Sequence, residues 1–224
     1  MFIDECKWIF QALSRIPPDQ RYPILDIGSS TLAYRTKKAP FIESELFSPL
    51  RQEGAICHFD IKNARGVDLV GDFFDPVTFN ALKAVGARTI LCNSFLAHVA
   101  DPILACQNLM GLVRSGGYLC VSSPEIYPFC SDPWDNGFRP NEHVLRSHFL
   151  ELEVVESLGL SVERSYYSTL RHDRSAAIAL VLRLLVPFWK PANWLRAAAY
   201  LPLFFRRYKV SCLLLQRSTV IPSK

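Results

Sequence analysis

The sequence lacks several features that mark well-defined classes of protein. Its seven cysteines include no C-x-x-C pair, so the spacing required by a zinc site or a thioredoxin-like redox site is missing. The N-terminal residues MFIDECK carry two acids and no basic segment ahead of an apolar core, which is not typical of a signal peptide. We therefore expect a cytoplasmic protein without a metal, whose cysteines are buried and reduced.

Two further absences narrow the functional classes. No apolar run reaches the roughly 20 residues that span a bilayer, and no internal repeat is present. The sequence also lacks the G-x-G-x-x-G turn, and the acid about 20 residues further on, that a nicotinamide-dependent oxidoreductase normally has. Such an oxidoreductase is the least favoured of the functions considered.

The excess of positive charge is local and lies near the C-terminus. The net charge is +4, but residues 171–209 carry eight Lys or Arg and one Asp, so the rest of the chain is slightly negative. This distribution argues against a nucleic-acid-binding protein and indicates one basic, apolar face.

The apolar runs that are present alternate with helical segments. This pattern predicts a single α/β domain with a doubly wound, mostly parallel sheet. Asp75-Pro76 and Asp101-Pro102 are typical starts of the helices that follow strands three and four. The five predicted strands are 23–28, 55–60, 67–70, 88–95 and 118–122, and a further helix is predicted over 41–52.

Three acids lie at or beside the carboxyl ends of the first three predicted strands and should meet at one edge of the sheet. Asp26, Asp60 and Asp72 offer acceptors for a ligand with an amino group, ribose hydroxyls and a base. Asp60, at the end of strand two, is placed to accept from both ribose hydroxyls. Each acid has a structural alternative, because a carboxylate can also brace a turn.

The chain resembles the class I S-adenosylmethionine-dependent methyltransferases over roughly residues 20–150. The resemblance lies in ILDIGSS, Asp60, GDF, CNSFLAHVADP and SGGYL, at 24–30, 60, 71–73, 92–102 and 115–119. It implies a Rossmann-like methyltransferase fold and S-adenosylmethionine as cofactor. The cofactor-binding residues that we predict on this basis are Asp26, Gly28, Ser30, Asp60, Asp72, Phe73 and Asn93.

The first motif departs from the D-x-G-x-G-x-G of that family. Two of the three glycines are replaced, and Ser30 would cap a helix while its Cβ crowds the methionine moiety. Backbone amides near Gly28 are expected to hold the cofactor. The polar stretch 33–38 is predicted to form a loop over the site.

Residues 125–140 are predicted to form an acceptor loop, since they are polar and rich in proline. Their Tyr-Pro and Asp-x-x-x-Arg-Pro pattern is similar to the acceptor loop of methyltransferases from glycan and glycolipid pathways. A solvated connector is the alternative. The catalytic candidates are Asp135 and His98, and the substrate-binding candidates are Asp132, Arg139 and His143. His98 also fits a packing role.

Residues 175–207 combine apolar helices, aromatic residues and basic residues. We predict a helical hairpin that lies on the inner membrane surface next to the site, so that the acceptor would be lipid-linked or membrane-delivered. The function that the resemblance implies is methyl transfer to a small-molecule, sugar or lipid-linked acceptor. Packing against the sheet or in a dimer interface is the alternative. A catalytically inactive, methyltransferase-like binding or scaffold protein is the alternative to the enzyme as a whole.

Overall fold

A computed structural model describes residues 1–128, 134–165 and 206–219, and isolated positions at 167, 171, 178, 180–182, 185, 194–195 and 202. Asp132 and most of the predicted hairpin 175–207 therefore lie outside the described residues. No described helix combines the length and the apolar character needed to cross a bilayer.

Seven strands form one mixed sheet in the order β3-β2-β1-β4-β5-β7-β6. The first five are parallel, and β7 runs antiparallel to both of its neighbours. This arrangement confirms the doubly wound, mostly parallel sheet. The strands are β1 (Ile24–Ile27), β2 (Ile56–Asp60), β3 (Leu69–Val70), β4 (Thr89–Asn93), β5 (Tyr118–Ile126), β6 (Glu153–Ser165) and β7 (Arg207–Gln216).

Helices cover both faces of the sheet. The predicted helix starts are confirmed, since Asp75 accepts from the amide of Thr78 and Asp101 accepts from the amides of Ile103 and Leu104. The helices are α1 (Ile3–Ser14), α2 (Pro18–Arg21), α3 (Pro40–Ile42), α4 (Ser48–Arg51), α5 (Pro76–Ala84), α6 (Pro102–Leu112) and α7 (Glu142–Ser147). The described ranges 1–128, 134–165 and 206–219 also contain two π-helical turns, Tyr34–Lys38 and Glu43–Phe47, and a 3-10 turn, Leu96–His98.

Side-chain alternation along the strands divides the apolar core into two layers. Leu91 of β4 and Cys120 of β5 pack with α1 on one face. Ile90 and Leu119, the residues just before them, pack with α5, α6 and α7 on the other. Residues that share a face with Leu91, including Asn93 two positions later, therefore lie on the side covered by α1.

Two local predictions are wrong, and a third is confirmed. The stretch 33–38 is helical, not a loop. The helix predicted over 41–52 is present as the continuous helical segment 40–51, which contains α3, a π-helical turn and α4. Strand β5 was expected to end before Pro124 but continues to Ile126, so the first two residues of the predicted acceptor loop belong to the sheet. Pairing of this end with β7 tolerates the proline, because the register shifts between Pro124 and Ile126.

The described cysteines are free and mostly buried, as predicted. Burial raises the pKa of the Cys6 thiol to about 12 and that of the half-buried Cys57 to about 11. Both thiols are therefore protonated, and weakly nucleophilic, near neutral pH. Cys130 lies outside the described residues.

We expect the Cys130→Ser protein to react slowly with a thiol-specific reagent at about pH 8, because the folded state keeps these thiols protonated. Raised pKa values also make the folded state lose stability as the pH rises from about 9, where unfolded thiols ionise, towards about 12. Absorbance-monitored thiol titration, native and in denaturing urea, measures the first effect. Rapid modification of all thiols in the native protein would contradict it.

Candidate active site

The candidate site lies where the strand order reverses, between the carboxyl ends of β1 and β4. The turn after β1 contains Gly28 and Ser30, whose φ angles are +75° and +57°. The amides of Gly28 and Ser29 both donate to the carbonyl of Phe59 at 2.9 Å. The amide of Ser30 donates to Asp60 Oδ2 at 2.7 Å, so the turn is closed onto β2.

This closure corrects the expectation that amides near Gly28 hold a ligand. The three consecutive N–H groups from Gly28 to Ser30 already have acceptors within the protein. Ser30 also does not cap the helix that follows, because Thr31 Oγ1 accepts from the amide of Tyr34 at 3.2 Å. The turn is therefore a rigid base of the site and supplies few donors to it.

Asp60 stands at the end of β2, where the sequence placed it. Its side chain is buried, and its two oxygens accept from the amides of Ser30 and Lys62 at 2.7 and 3.0 Å. A carboxylate has about four acceptor positions, so about two remain for a ligand. This geometry suits a pair of hydroxyl donors.

Arg35 holds the turn from beneath and was not predicted as a site residue. Its guanidinium donates to the carbonyls of Ser29, Ser30 and Gly66 at 3.0, 3.2 and 2.8 Å. The side chain is 1% exposed, and burial lowers the pKa of Arg35, while the negative charges of Asp26 and Glu43 oppose that shift. The arginine comes from the helical stretch that was expected to be a loop.

Asp26 faces the protein instead of open space. It lies opposite His58 in the β1–β2 pairing, and His58 Nδ1 donates to its Oδ2 at 2.9 Å. The other imidazole nitrogen lies 3.4 Å from Arg51, which pairs with Glu43, and Glu43 lies 3.8 Å from Arg35. Asp26 thus belongs to a polar chain that begins at two buried side chains, Asp26 and His58, and continues through the exposed Arg51. Bracing of the turn is the alternative that the sequence had left open.

Asp72 and Phe73 follow β3 with different exposure. Asp72 is exposed, and its Oδ1 accepts from the amide of Phe74 at 3.0 Å. The ring of Phe73 is buried in the core, with its centroid 5.2 Å from that of Phe95. The ring therefore contributes to the core, and the contact of Phe73 with the cofactor stays a prediction.

Two non-glycine residues among those described have positive φ, Ser30 and Ser94, and both border the site. Such a conformation costs about 1–3 kcal/mol and persists only where the surroundings impose it. At Gly28 an added Cβ would lie 2.6 Å from the ring of Phe95, so glycine is required there. The turn after β1 and the turn after β4 thus pack closely against each other, and this packing constrains the backbone of both.

Asn93 ends β4 on the face covered by α1 and is 9% exposed. Its Oδ1 lies 3.3 Å from Ser122 Oγ of β5, and Ser122 donates to Glu5 Oε1 at 2.5 Å. The far end of the Asn93 amide is buried and has no hydrogen-bond partner among the described residues. Neither Ser122 nor Glu5 was predicted, because their importance depends on contacts distant in sequence.

The described part of the predicted acceptor loop is docked onto the sheet. Asn136 donates through Nδ2 to the carbonyls of Leu96 and Val99 at 2.8 and 2.7 Å. Asp135 is buried and accepts from Arg139 at 2.6 Å. The predicted residues Asp135 and Arg139 thus lie together, beside the turn that follows β4.

The two histidine candidates lie on different elements. His98 ends the 3-10 turn Leu96–His98, on which Asn136 docks, and is half-buried. His143 is exposed on α7. Of these two, His98 is the one carried by a segment that borders the site.

Comparisons with known proteins support the fold. No protein-family model and no curated protein matches the chain. The structure of the MccD protein shares 15% identity and a TM-score of 0.56 over 96% of each chain. The structure of a coclaurine N-methyltransferase bound to N-methylheliamine and SAH shares 12% sequence identity and a TM-score of 0.49 with this chain. The match covers 95% of this chain and 69% of that one.

YjhP from E. coli gives 12% identity and a TM-score of 0.48 over 96% of this chain and 92% of that one. Of these three structures, the MccD protein exceeds a TM-score of 0.5 and carries the argument. At 15% identity the likeness establishes the fold alone.

We expect Arg35→Met to lower the free energy of unfolding by about 3–5 kcal/mol, since it leaves the buried carbonyls without their charged donor and Glu43 with Arg51 as its remaining cation. Arg65→Met, at an exposed position nearby, is the matched control and should change it by less than about 0.5 kcal/mol. Urea unfolding measures both. Equal changes in the two variants would show that Arg35 does not hold the turn.

Proposed function

We propose that the protein transfers a methyl group from S-adenosylmethionine to a small-molecule, sugar or lipid-linked acceptor. The observation that carries this proposal is that the carboxyl edge of the sheet offers hydrogen-bond acceptors and few free donors. Amides 28–30 are engaged, whereas Asp60, Asp72 and the Asn93 amide offer acceptor positions or an unpaired polar end. S-adenosylmethionine carries donors to match them: an ammonium group, two ribose hydroxyls and an adenine amino group.

Each of these residues would contact a different part of the cofactor. Asp60 would accept from the ribose hydroxyls with its remaining lone pairs, and Asp72 lies further out, on the side expected for the base. Asn93 lies beyond β1 on the opposite side, where the methionine part would extend. The bound sulfonium would supply an electrophilic methyl group, and the protein's part would be to align the acceptor and exclude water.

On the acceptor side we propose His98 as the base for a hydroxyl acceptor. Asp135 was the other candidate, but its carboxylate is engaged by Arg139 and by the amide of Gly137. The Asp135–Arg139 pair would instead shape the acceptor pocket. Asp132 and His143 remain proposed acceptor contacts.

A scaffold protein without catalysis is the second candidate. The observation that favours it is the closed first turn, in which the amides of Gly28, Ser29 and Ser30 are all engaged within the protein. A protein of this kind would bind neither S-adenosylmethionine nor its demethylated product.

Titration calorimetry with S-adenosylmethionine tests the choice. We expect binding by the wild type and a loss of about 1.5–3 kcal/mol in Asp60→Ala, the range for hydrogen bonds to a charged group. Asp19→Ala removes an exposed acid of α2 and is the control. No binding by the wild type would favour the scaffold, and unchanged affinity in a folded Asp60→Ala protein would remove Asp60 from the site.

We also propose that the segment between β6 and β7 contacts an anionic membrane surface. Ser165 and Arg207 pair at the ends of these strands, so the segment leaves the sheet at the edge that holds the site. Its described side chains include large exposed apolar residues, namely Ile178, Val181, Leu182, Leu185 and Leu195. A lipid-linked acceptor would then be presented beside the site.

We expect the protein to float with anionic liposomes and to lose this association at high salt, because its basic residues would contact the leaflet. Leu182→Asp/Leu185→Asp should abolish flotation. Leu150→Asp, at an exposed position between α7 and β6, should float like the wild type. Wild-type protein that stays at the bottom of the gradient at low salt would refute membrane contact.

A further inference from the structure

A negative side chain from α1 reaches the edge of the sheet that holds the site. Glu5 is fully buried, and its Oε1 lies 2.5 Å from Ser122 Oγ. Its Oε2 accepts from the amide of Phe2 at 2.9 Å, and the N-terminal end of α1 favours a negative charge in its first turn. Ser122 in turn stands directly opposite Asn93 in the β4–β5 pairing.

The hydrogen atoms available to these groups fix the direction of the Asn93 amide. Ser122 has one hydroxyl hydrogen, and the Glu5 carboxylate is an acceptor only, so that hydrogen is donated to Glu5. Ser122 Oγ can then only accept from Asn93. The NH₂ group must therefore face Ser122, and the amide oxygen takes the far end, an assignment that hydrogen-bond networks decide for Asn side chains.

The far end of the Asn93 amide is the end that has no partner among the described residues. A buried acceptor of this kind needs a donor, and a ligand bound at the strand end can supply one. Asp60 lies across β1 from Asn93, so a ligand whose ribose is held by Asp60 would present its opposite end to β4.

We infer that Glu5 is a positioning residue which, through Ser122, turns the amide oxygen of Asn93 towards the ammonium group of the cofactor's amino-acid end. This inference rests on the proposed function. Glu5 acts in two ways: it withholds the Ser122 hydrogen from Asn93, and its buried negative charge favours a cation nearby. The first turn of α1 thereby becomes part of cofactor recognition.

Calorimetry with two ligands separates this role from general stability. S-adenosylhomocysteine carries the amino-acid group, whereas 5′-methylthioadenosine keeps the nucleoside and lacks that group. We expect Ser122→Ala and Glu5→Gln each to bind S-adenosylhomocysteine about tenfold more weakly and to bind methylthioadenosine as the wild type does. Ser123→Ala is the matched control, since Ser123 is equally buried but points to the other face of β5.

The outcomes of this experiment distinguish a failure of the proposed function from a failure of the role assigned to Glu5. Wild-type protein that binds neither ligand would overturn the proposed function and this inference with it. Wild-type binding of both ligands, with the variants weakened equally for both or for neither, would leave the proposed function standing and overturn the role of Glu5. Thermal unfolding of each variant establishes that the protein measured is folded.

Discussion

A buried guanidinium holds the two loops on which the candidate site is built. Arg35 bonds carbonyls of the turn after β1 and of the segment before β3, so removing it would release both at once. Burying an arginine is costly unless its charge is balanced, and Glu43 and Asp26 provide the balance. This requirement explains why the nearby acids and His58 form one polar chain beneath the turn.

The same interaction explains how the turn keeps its shape with fewer glycines. Ser30 adopts φ +57°, a conformation that disfavours any residue with a Cβ by about 1–2 kcal/mol. Its amide is held by Asp60 and its carbonyl by Arg35, so two charge-assisted hydrogen bonds offset that strain. The hydrogen bonds from Arg35 and to Asp60 thus allow a serine at position 30, where the family usually has glycine.

Sequence patterns predicted the local features and missed those that depend on distant contacts. The apolar runs located β1, β2 and β4 to within about two residues, and Asp-Pro pairs located the starts of α5 and α6. Strands β6 and β7 were not predicted, and Arg35 was assigned to a loop because charged residues alone suggest solvent. The sequence did contain a signal for Glu5, because this acid lies on the apolar face of α1 with Ile9, Ala12 and Leu13, where an exposed acid would not belong.

The distribution of donors and acceptors at this edge of the sheet also favours one of two classes of ligand. A dinucleotide places its pyrophosphate on free amides at the first turn, and that anion needs donors. Here those amides are closed onto Phe59 and Asp60, and the buried carboxylate of Glu5 lies one serine away from Asn93. An anion would therefore meet acceptors and negative charge, whereas a cationic ligand rich in donors would find partners on both sides of β1.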